Sequence, residues 1–375
     1  MANARSEKLK IGIIGTGSIS LLHLWAISQA SEKVKLTAAC DVREDAVRKF
    51  AMNAGLDRVY TDAATMLKEA DIDAVDICAS HQWHKELAIA SAEAGKHILL
   101  EKPMAISMQE CRDILAAADK AGVTLMIGQQ LRYNPNYIAV QRFIQEGELG
   151  QVWGLRSDSW LPVIMSRSVI TNQFAQNELL KWRVNKNKSG GGSLIWNAIH
   201  FIDLFRYFIG NAKRVFAKCW TDHPIFSGGA EDRVMATIEF ENGAVGHISN
   251  SWTTRAPWQF QFMILGTEGS IYTPVNPSAT SIEQHEAPAV VSCPRHDVAD
   301  AGSGGGLSRP FVPIELPEGL FSNNPYVNEF AHFTDCCRNG KEPISSGRDN
   351  LHTMKTVFGI YEASRRGEMV DLNEL

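Results

Sequence analysis

Lys10-Ile11-Gly12-Ile13-Ile14-Gly15-Thr16-Gly17-Ser18-Ile19-Ser20 decides the fold of the amino-terminal half. A short apolar run ends in two spaced glycines and passes at once into a helical pattern, Ser18 to Ala30, with apolar residues three and four apart. Strand, turn and helix in this order are the setting a phosphate-binding turn requires. Gly15 permits the tight turn and Gly17 lets the backbone approach a pyrophosphate. The N–H groups around Ser18 and Ile19 then stand at the positive end of the helix dipole. Ser20 replaces the third glycine of the usual spacing, so the motif alone does not separate a binding turn from a structural one.

Working outward, the pattern repeats. Strands are expected at Lys35 to Cys40, Asp73 to Ala79, His97 to Leu100 and Thr124 to Ile127, with a short extra strand at Arg58 to Tyr60. Helices are expected at Arg43 to Ala54, His84 to Ala94 and Ser107 to Ala121, with Gly95 and Gly122 as stops. This is the grammar of a doubly wound parallel sheet ending near Gln129. Asp41 closes the second strand where a carboxylate accepts hydrogen bonds from the adenosine ribose, and it would repel a 2′-phosphate. NAD is therefore expected in preference to NADP, with Arg43 the feature that favours dual use. The plainer alternative for Asp41 is a solvated cap on the next helix.

After Tyr133-Asn134-Pro135 the grammar changes. One helix runs to about Glu146, and β patterns follow at Gln151 to Leu161, Arg214 to Trp220, Arg233 to Phe240, Ala244 to Trp252 and Gln259 to Leu265. Glu241-Asn242-Gly243 reads as a hairpin turn. A helix from about Ser193 to Phe208 interrupts the strands, and another closes the chain from about Asp349 to Ala363. Asp300 to Ser308, which contains Gly302 to Gly306, reads as a flexible loop. The expected organisation is a nucleotide-binding domain over 1–129 and a substrate-binding and oligomerisation domain over 130–375, the latter built on a large, open, mostly antiparallel sheet.

Composition excludes several classes. With 375 residues, 45% hydrophobic, 21% charged and a net charge of -5, the chain is globular, long enough for two domains, and without a basic footprint for nucleic acid. Met1 to Lys10 is polar and does not read as a signal peptide, and no membrane association is expected. Seven cysteines without C-x-x-C spacing indicate reduced thiols in the cytoplasm, and no metal site.

Two segments carry candidate chemistry. Glu101-Lys102-Pro103 lies at the carboxyl edge of the parallel sheet, where Pro103 stiffens the turn that aims Lys102. An ammonium there can polarise an alkoxide or exchange its proton, although most lysines after strands are merely solvated. Beyond Ser189-Gly190-Gly191-Gly192, the residues Trp196, Asn197, His200 and Asp203 share one helix face. His200 is a candidate base that Asp203 can orient; the competing role is a buried structural histidine.

Taken in order, these motifs resemble the Gfo/Idh/MocA oxidoreductases, the family of glucose-fructose oxidoreductase and inositol dehydrogenase. The match includes Gly15 to Ser20, Ser80-His81-Gln82-Trp83-His84, Ala94 to His97, Glu101-Lys102-Pro103, Trp182-Arg183, Gly190 to Gly192, His200 to Asp203, Gly266 to Ser270 and Ser346-Gly347. The resemblance implies a Rossmann domain followed by an α/β domain whose sheet forms a subunit interface, hence a homo-oligomer. It implies that Lys102 is the catalytic lysine and His200 the active-site histidine, and that Ser80, His84 and Glu101 join the cofactor site. It further implies hydride transfer between NAD and a carbinol carbon of a sugar, glycoside or cyclitol, without a metal. Two departures stand out. His81 occupies a position often held by Pro, and Trp196 stands where relatives often carry Asp or Asn. Either Asn197 substitutes in part, His200 works with Lys102 alone, or Trp196 offers a stacking face to a sugar ring. Trp160, Trp182 and Arg183 complete the expected substrate pocket. A redox-neutral, NAD-using hydrolase or lyase and a noncatalytic NAD sensor are the competing functions.

Overall fold

The computed structural model describes residues 8–161, 181–255, 259–273, 289–294, 298–299, 307–308 and 310–375. Their contacts divide the chain into two compact units: Met1–Tyr133 with Leu320–Met354, and Asn134–Gly319 with Lys355–Leu375. This differs from a single break after residue 129. The chain returns to the first unit because the helix Pro325–Asn339, which the sequence reading did not anticipate, buries Val327, Phe330 and Phe333 in the same core as Ile11, Ile13 and Ala26. Burying each phenylalanine contributes about 2 kcal/mol. Of the expected loop at Asp300 to Ser308, residues 300–306 lie outside the described residues, and Leu307–Ser308 form a short strand instead, paired with Val298–Ala299.

The first unit alternates β1 (Leu9–Ile14), α1 (Ser18–Gln29), β2 (Val34–Cys40), α2 (Glu44–Ala54), β3 (Val59–Tyr60), α3 (Ala63–Glu69), β4 (Ala74–Ile77), α4 (His84–Glu93), β5 (His97–Glu101), α5 (Met108–Ala121) and β6 (Leu125–Gly128). The sheet order is β3-β2-β1-β4-β5-β6, and every neighbouring pair is parallel. Strand order reverses between β1 and β4, so the loops after these strands flank the crevice where open parallel sheets bind ligands. α3 is a further element beyond the sequence reading. Asp62 caps it by accepting from Thr65 N at 2.8 Å, and Met66 and Leu67 bury its inner face.

The second unit begins with α6 (Pro135–Gln145) and β7 (Val152–Trp160), followed by a π-helical turn, Leu194–Ala198, that leads into α7 (Ile199–Ile209). Strands β8 (Ala212–Trp220), β9 (Arg233–Phe240), β10 (Val245–Ser251), β11 (Gln259–Gly266), β12 (Ser270–Tyr272) and β13 (Val290–Ser292) follow, and a separate pair joins β14 (Val298–Ala299) to β15 (Leu307–Ser308). With β16 (Val312–Pro313) and β17 (Val370–Asp371) the main sheet reaches nine strands, ordered β16-β13-β12-β11-β7-β10-β9-β8-β17. β7 and β10 pair in parallel; the other neighbouring strands of this sheet are antiparallel. On the covered face, Tyr137 of α6 and Phe205 and Phe208 of α7 meet Phe262 of β11 with ring centroids 5.5–6.2 Å apart. The opposite face leaves Phe216 and Met235 exposed at 46% and 50%. No helix among the described residues is long and apolar enough to cross a membrane.

Candidate active site

The turn after β1 is built to leave room. Gly15 has φ +93°, and a Cβ there would meet Ala79 N at 2.7 Å, so the turn closes against the end of β4 only with glycine. A Cβ on Gly17 would meet nothing within 4 Å. α1 starts at Ser18 with no side-chain cap and no acidic residue in its first turn, so its positive end is not satisfied by the protein's own side chains. Ser20, in place of the third glycine, turns inward and donates to Gly17 O at 2.6 Å. Ser18 and Ile19 thus stand at an uncapped helix start that suits a pyrophosphate.

Asp41 lies beside this turn. Its Oδ2 accepts from Thr16 N and Thr16 Oγ1 at 2.8 and 3.0 Å, and its Oδ1 accepts from Arg43 N at 3.0 Å. A carboxylate offers about four acceptor positions, so roughly one remains for a ligand hydroxyl. The Arg43 guanidinium stands 3.5 Å from Oδ1. Asp41 therefore both fixes the turn and keeps a negative charge next to it.

On the same carboxyl edge, Ser80 precedes a single 3-10 turn, His81–Trp83. His84 was expected among the cofactor contacts, but it is buried, with Nδ1 2.8 Å from Pro103 O and Nε2 3.0 Å from Ala79 O. In the neutral form that burial favours, one ring N–H donates to one of these carbonyls and the other nitrogen only packs against its neighbour, so His84 sits between the Lys102-Pro103 turn and the end of β4. Burial lowers its pKa, with the carbonyls opposing. The Lys102–Pro103 bond is cis. Glu101 is buried, and its Oε2 accepts from Lys102 N at 3.1 Å. Burial pushes the Glu101 pKa up, but His23, Lys102 and His84 more than offset it and hold the carboxyl below its ordinary range. Lys102 is half-buried at the head of this arrangement.

In the second unit, the glycine turn before His200 is fixed by a residue the sequence reading missed. Glu231 is buried, accepts from Gly192 N and Leu194 N at 2.7 Å each, and takes a bond from Tyr361 Oη at 3.1 Å. Burial raises its pKa, and the two main-chain donors oppose the rise. A Cβ on Gly191 would run into Tyr361, and one on Gly192 into the Glu231 main chain. Glu231 lies 39 residues from Gly192, so no local pattern announces the contact.

Trp196 sits in the π-helical turn and joins an aromatic cluster, with Trp182 at 5.2 Å and Trp252 at 6.4 Å between centroids. The Arg183 guanidinium lies 4.8 Å from the Trp196 ring centre, and burial lowers the Arg183 pKa to about 10. Asn197 Oδ1 accepts from Ser159 Oγ at 2.8 Å and from Asn250 Nδ2, so its carbonyl is committed to the strands. Trp160 Nε1 donates to Ser249 Oγ at 3.0 Å. His200 is half-buried at the start of α7, and Asp203 is buried one turn on.

With this geometry in view, the similarity to known proteins is informative. Residues 9–129 match the family model described as oxidoreductase family, NAD-binding Rossmann fold, and residues 137–272 match the GFO/IDH/MocA C-terminal domain. A D-apiose dehydrogenase of Paraburkholderia graminis is 28% identical over 98% of this chain and 91% of its own. A myo-inositol 2-dehydrogenase of Thermotoga maritima is 28% identical over 98% of this chain and 99% of its own. The solved levoglucosan dehydrogenase in complex with NADH shares the fold, with a TM-score of 0.81 at 24% identity over 98% of this chain and 99% of that one. Fold, glycine turn and both matched domains agree: the chain belongs to the Gfo/Idh/MocA oxidoreductase family, with an NAD-binding Rossmann fold in its first unit.

Proposed function

We propose that the protein is an NAD-dependent dehydrogenase that oxidises, or in reverse reduces, a secondary alcohol or ketone of a sugar, glycoside or cyclitol. The observation that carries the reading is the uncapped start of α1 beside an open Gly17, with the Asp41 carboxylate next to it. Gly15, Gly17, Ser18 and Ile19 would hold the pyrophosphate, and Asp41 the adenosine ribose. NAD is preferred over NADP because the Asp41 charge opposes a 2′-phosphate, and Arg43 moderates that preference. NAD, when bound, accepts or returns the hydride.

The chain's own residues handle the proton. Lys102, held by Glu101 and the turn beside His84, steadies the reacting oxygen and exchanges its proton; His200 serves as the base or acid on the substrate side. Trp160, Trp182, Arg183, Trp196 and Asn197 line the substrate end. Two features support further parts of the reading. The exposed Phe216 and Met235 on the open sheet face fit a homo-oligomer, and seven free cysteines fit the reducing cytoplasm.

Lys102→Ala and His200→Ala should each lower turnover by about 10²–10⁴-fold while NAD affinity stays within a few-fold. Steady-state kinetics and NAD titration of folded variants check this; unchanged turnover refutes the assignment.

A further inference from the structure

Behind the Glu101-Lys102 turn, the first unit buries ionisable side chains that this reaction does not use directly. His23 projects from α1 with no exposed surface. Its Nδ1 lies 2.8 Å from Asp76 Oδ2 on β4, and its Nε2 lies 3.2 Å from Glu101 Oε1 at the end of β5. Tyr326 and Phe330, from the helix Pro325–Asn339, flank the ring with centroids 5.7 and 5.4 Å away. Cys78 Sγ stands 3.4 Å from Nδ1. Glu329, from the same helix, is fully buried, and neither of its carboxyl oxygens has a hydrogen-bond partner among the described residues.

A neutral imidazole has one N–H and one lone pair. Asp76 is hydrogen-bonded at Nδ1 and Glu101 Oε1 lies at ion-pair distance from Nε2 without hydrogen-bond alignment, so two carboxylates face one buried ring, and a neutral imidazole would leave both charges uncompensated. The geometry therefore selects the imidazolium. Burial opposes that charge, but Asp76 overrides it and His23 is raised well above its ordinary pKa. Glu329 is driven up as well, by burial first; His23 opposes this and the charges of Glu101 and Asp76 add to it, which keeps Glu329 a carboxylic acid. Cys78 is raised by burial and by Asp76, and stays a thiol. The groups acting on His23 are thus Asp76 and Cys78 of β4 and its end, Glu101 of β5, and Tyr326 and Glu329 of the late helix. His84 and Lys102 also act on Glu101.

We propose that His23 is a positioning residue for the reaction: clamped as an imidazolium between Asp76 and Glu101, it keeps Glu101 ionised and fixed behind Lys102, whose N–H Glu101 accepts at 3.1 Å. The proposal rests on the reading of Lys102 as the residue that handles the proton. Neither Asp76 nor Glu101 touches the reacting atoms in this account; both act by holding charge in place.

Two readouts test it. In the intact protein with isotope-labelled histidine, the resonances lost in His23→Gln should show both ring nitrogens protonated at about pH 8. A single neutral tautomer there, or a stoichiometric metal ion released by Cys78→Ala, overturns the proposal whatever the activity. In kinetics from about pH 5.5 to about pH 9, kcat/KM of His23→Gln should acquire an acid-side loss of about tenfold per pH unit as Glu101 takes up a proton. Adding Glu101→Gln should abolish that limb, and a His23→Gln profile parallel to the parent's overturns the proposal. Full turnover in Lys102→Ala sinks the lysine reading and with it the link from His23 to the reaction. That failure is distinguishable because it leaves the histidine resonances unchanged.

Discussion

The Gly15–Gly17 turn and the Gly190–Gly192 turn look alike in sequence, yet they use glycine for opposite reasons. In the first, Gly15 is crowded by the end of β4, but the space beside Gly17 is left open. In the second, Gly191 and Gly192 are crowded by Tyr361 and Glu231, and protein fills the space a ligand would need. A glycine motif marks a binding site where the absent side chain leaves room next to unsatisfied donors. Where a buried carboxylate already takes those donors, the same motif is a packing device that positions the following helix and His200.

Substitutions should separate the two turns. Gly192→Ala places a methyl group against Glu231 main chain that cannot step aside, and should destabilise the second unit by about 3 kcal/mol or more in denaturant unfolding. Glu231→Gln, which keeps one acceptor but turns an amide N–H toward main-chain donors, should cost about 2 kcal/mol by the same measurement. Gly17→Ala should leave stability within about 1 kcal/mol and weaken NAD binding about tenfold or more in a fluorescence titration. An unfolded Gly17→Ala, or a stable Gly192→Ala, would break the comparison. Asp41→Ala should shift the NADP-to-NAD ratio of kcat/KM upward by about tenfold, because the repelling carboxylate is gone and Arg43 remains.

The smallest effect concerns pH. Glu329 has a folded pKa raised well above its ordinary 4.5, so the native state holds a proton that the unfolded chain releases. Its favourable contribution is complete below that ordinary value and is lost as pH rises toward the folded pKa. Glu329→Gln should therefore flatten the fall of Tm between about pH 5 and about pH 9, and should be no less stable than the parent at the alkaline end.

The parallel sheet was legible because its strands are short apolar runs separated by periodic helices, and the observed strand ends fall within a few residues of those expected. α3 escaped because seven residues carry only one buried apolar pair. The helix Pro325–Asn339 was missed although Asn324, Pro325 and Gly340 mark its start and stop. Helical spacing around Trp196 gave no sign of the π turn, since both helix types place apolar residues on one face over so short a span. Among the candidate site residues, Gly15, Asp41 and Lys102 are singled out in the sequence by their place after strands. Glu231, His23 and Asp76 do not: each acts on a group far along the chain, and a buried charge has no local signature. His84, expected at the cofactor from its place in a motif, is buried with its ring nitrogens 2.8 and 3.0 Å from Pro103 O and Ala79 O, contacts that no local pattern announces.

The most direct test is absorbance at the reduced-nicotinamide band while the protein and NAD are offered inositols, free sugars and glucosides in turn. Growth of NADH with one of these groups is the predicted result, and it names the substrate class. A protein that binds NAD but yields no NADH with any of them would contradict the dehydrogenase reading, and would favour a redox-neutral enzyme or a sensor.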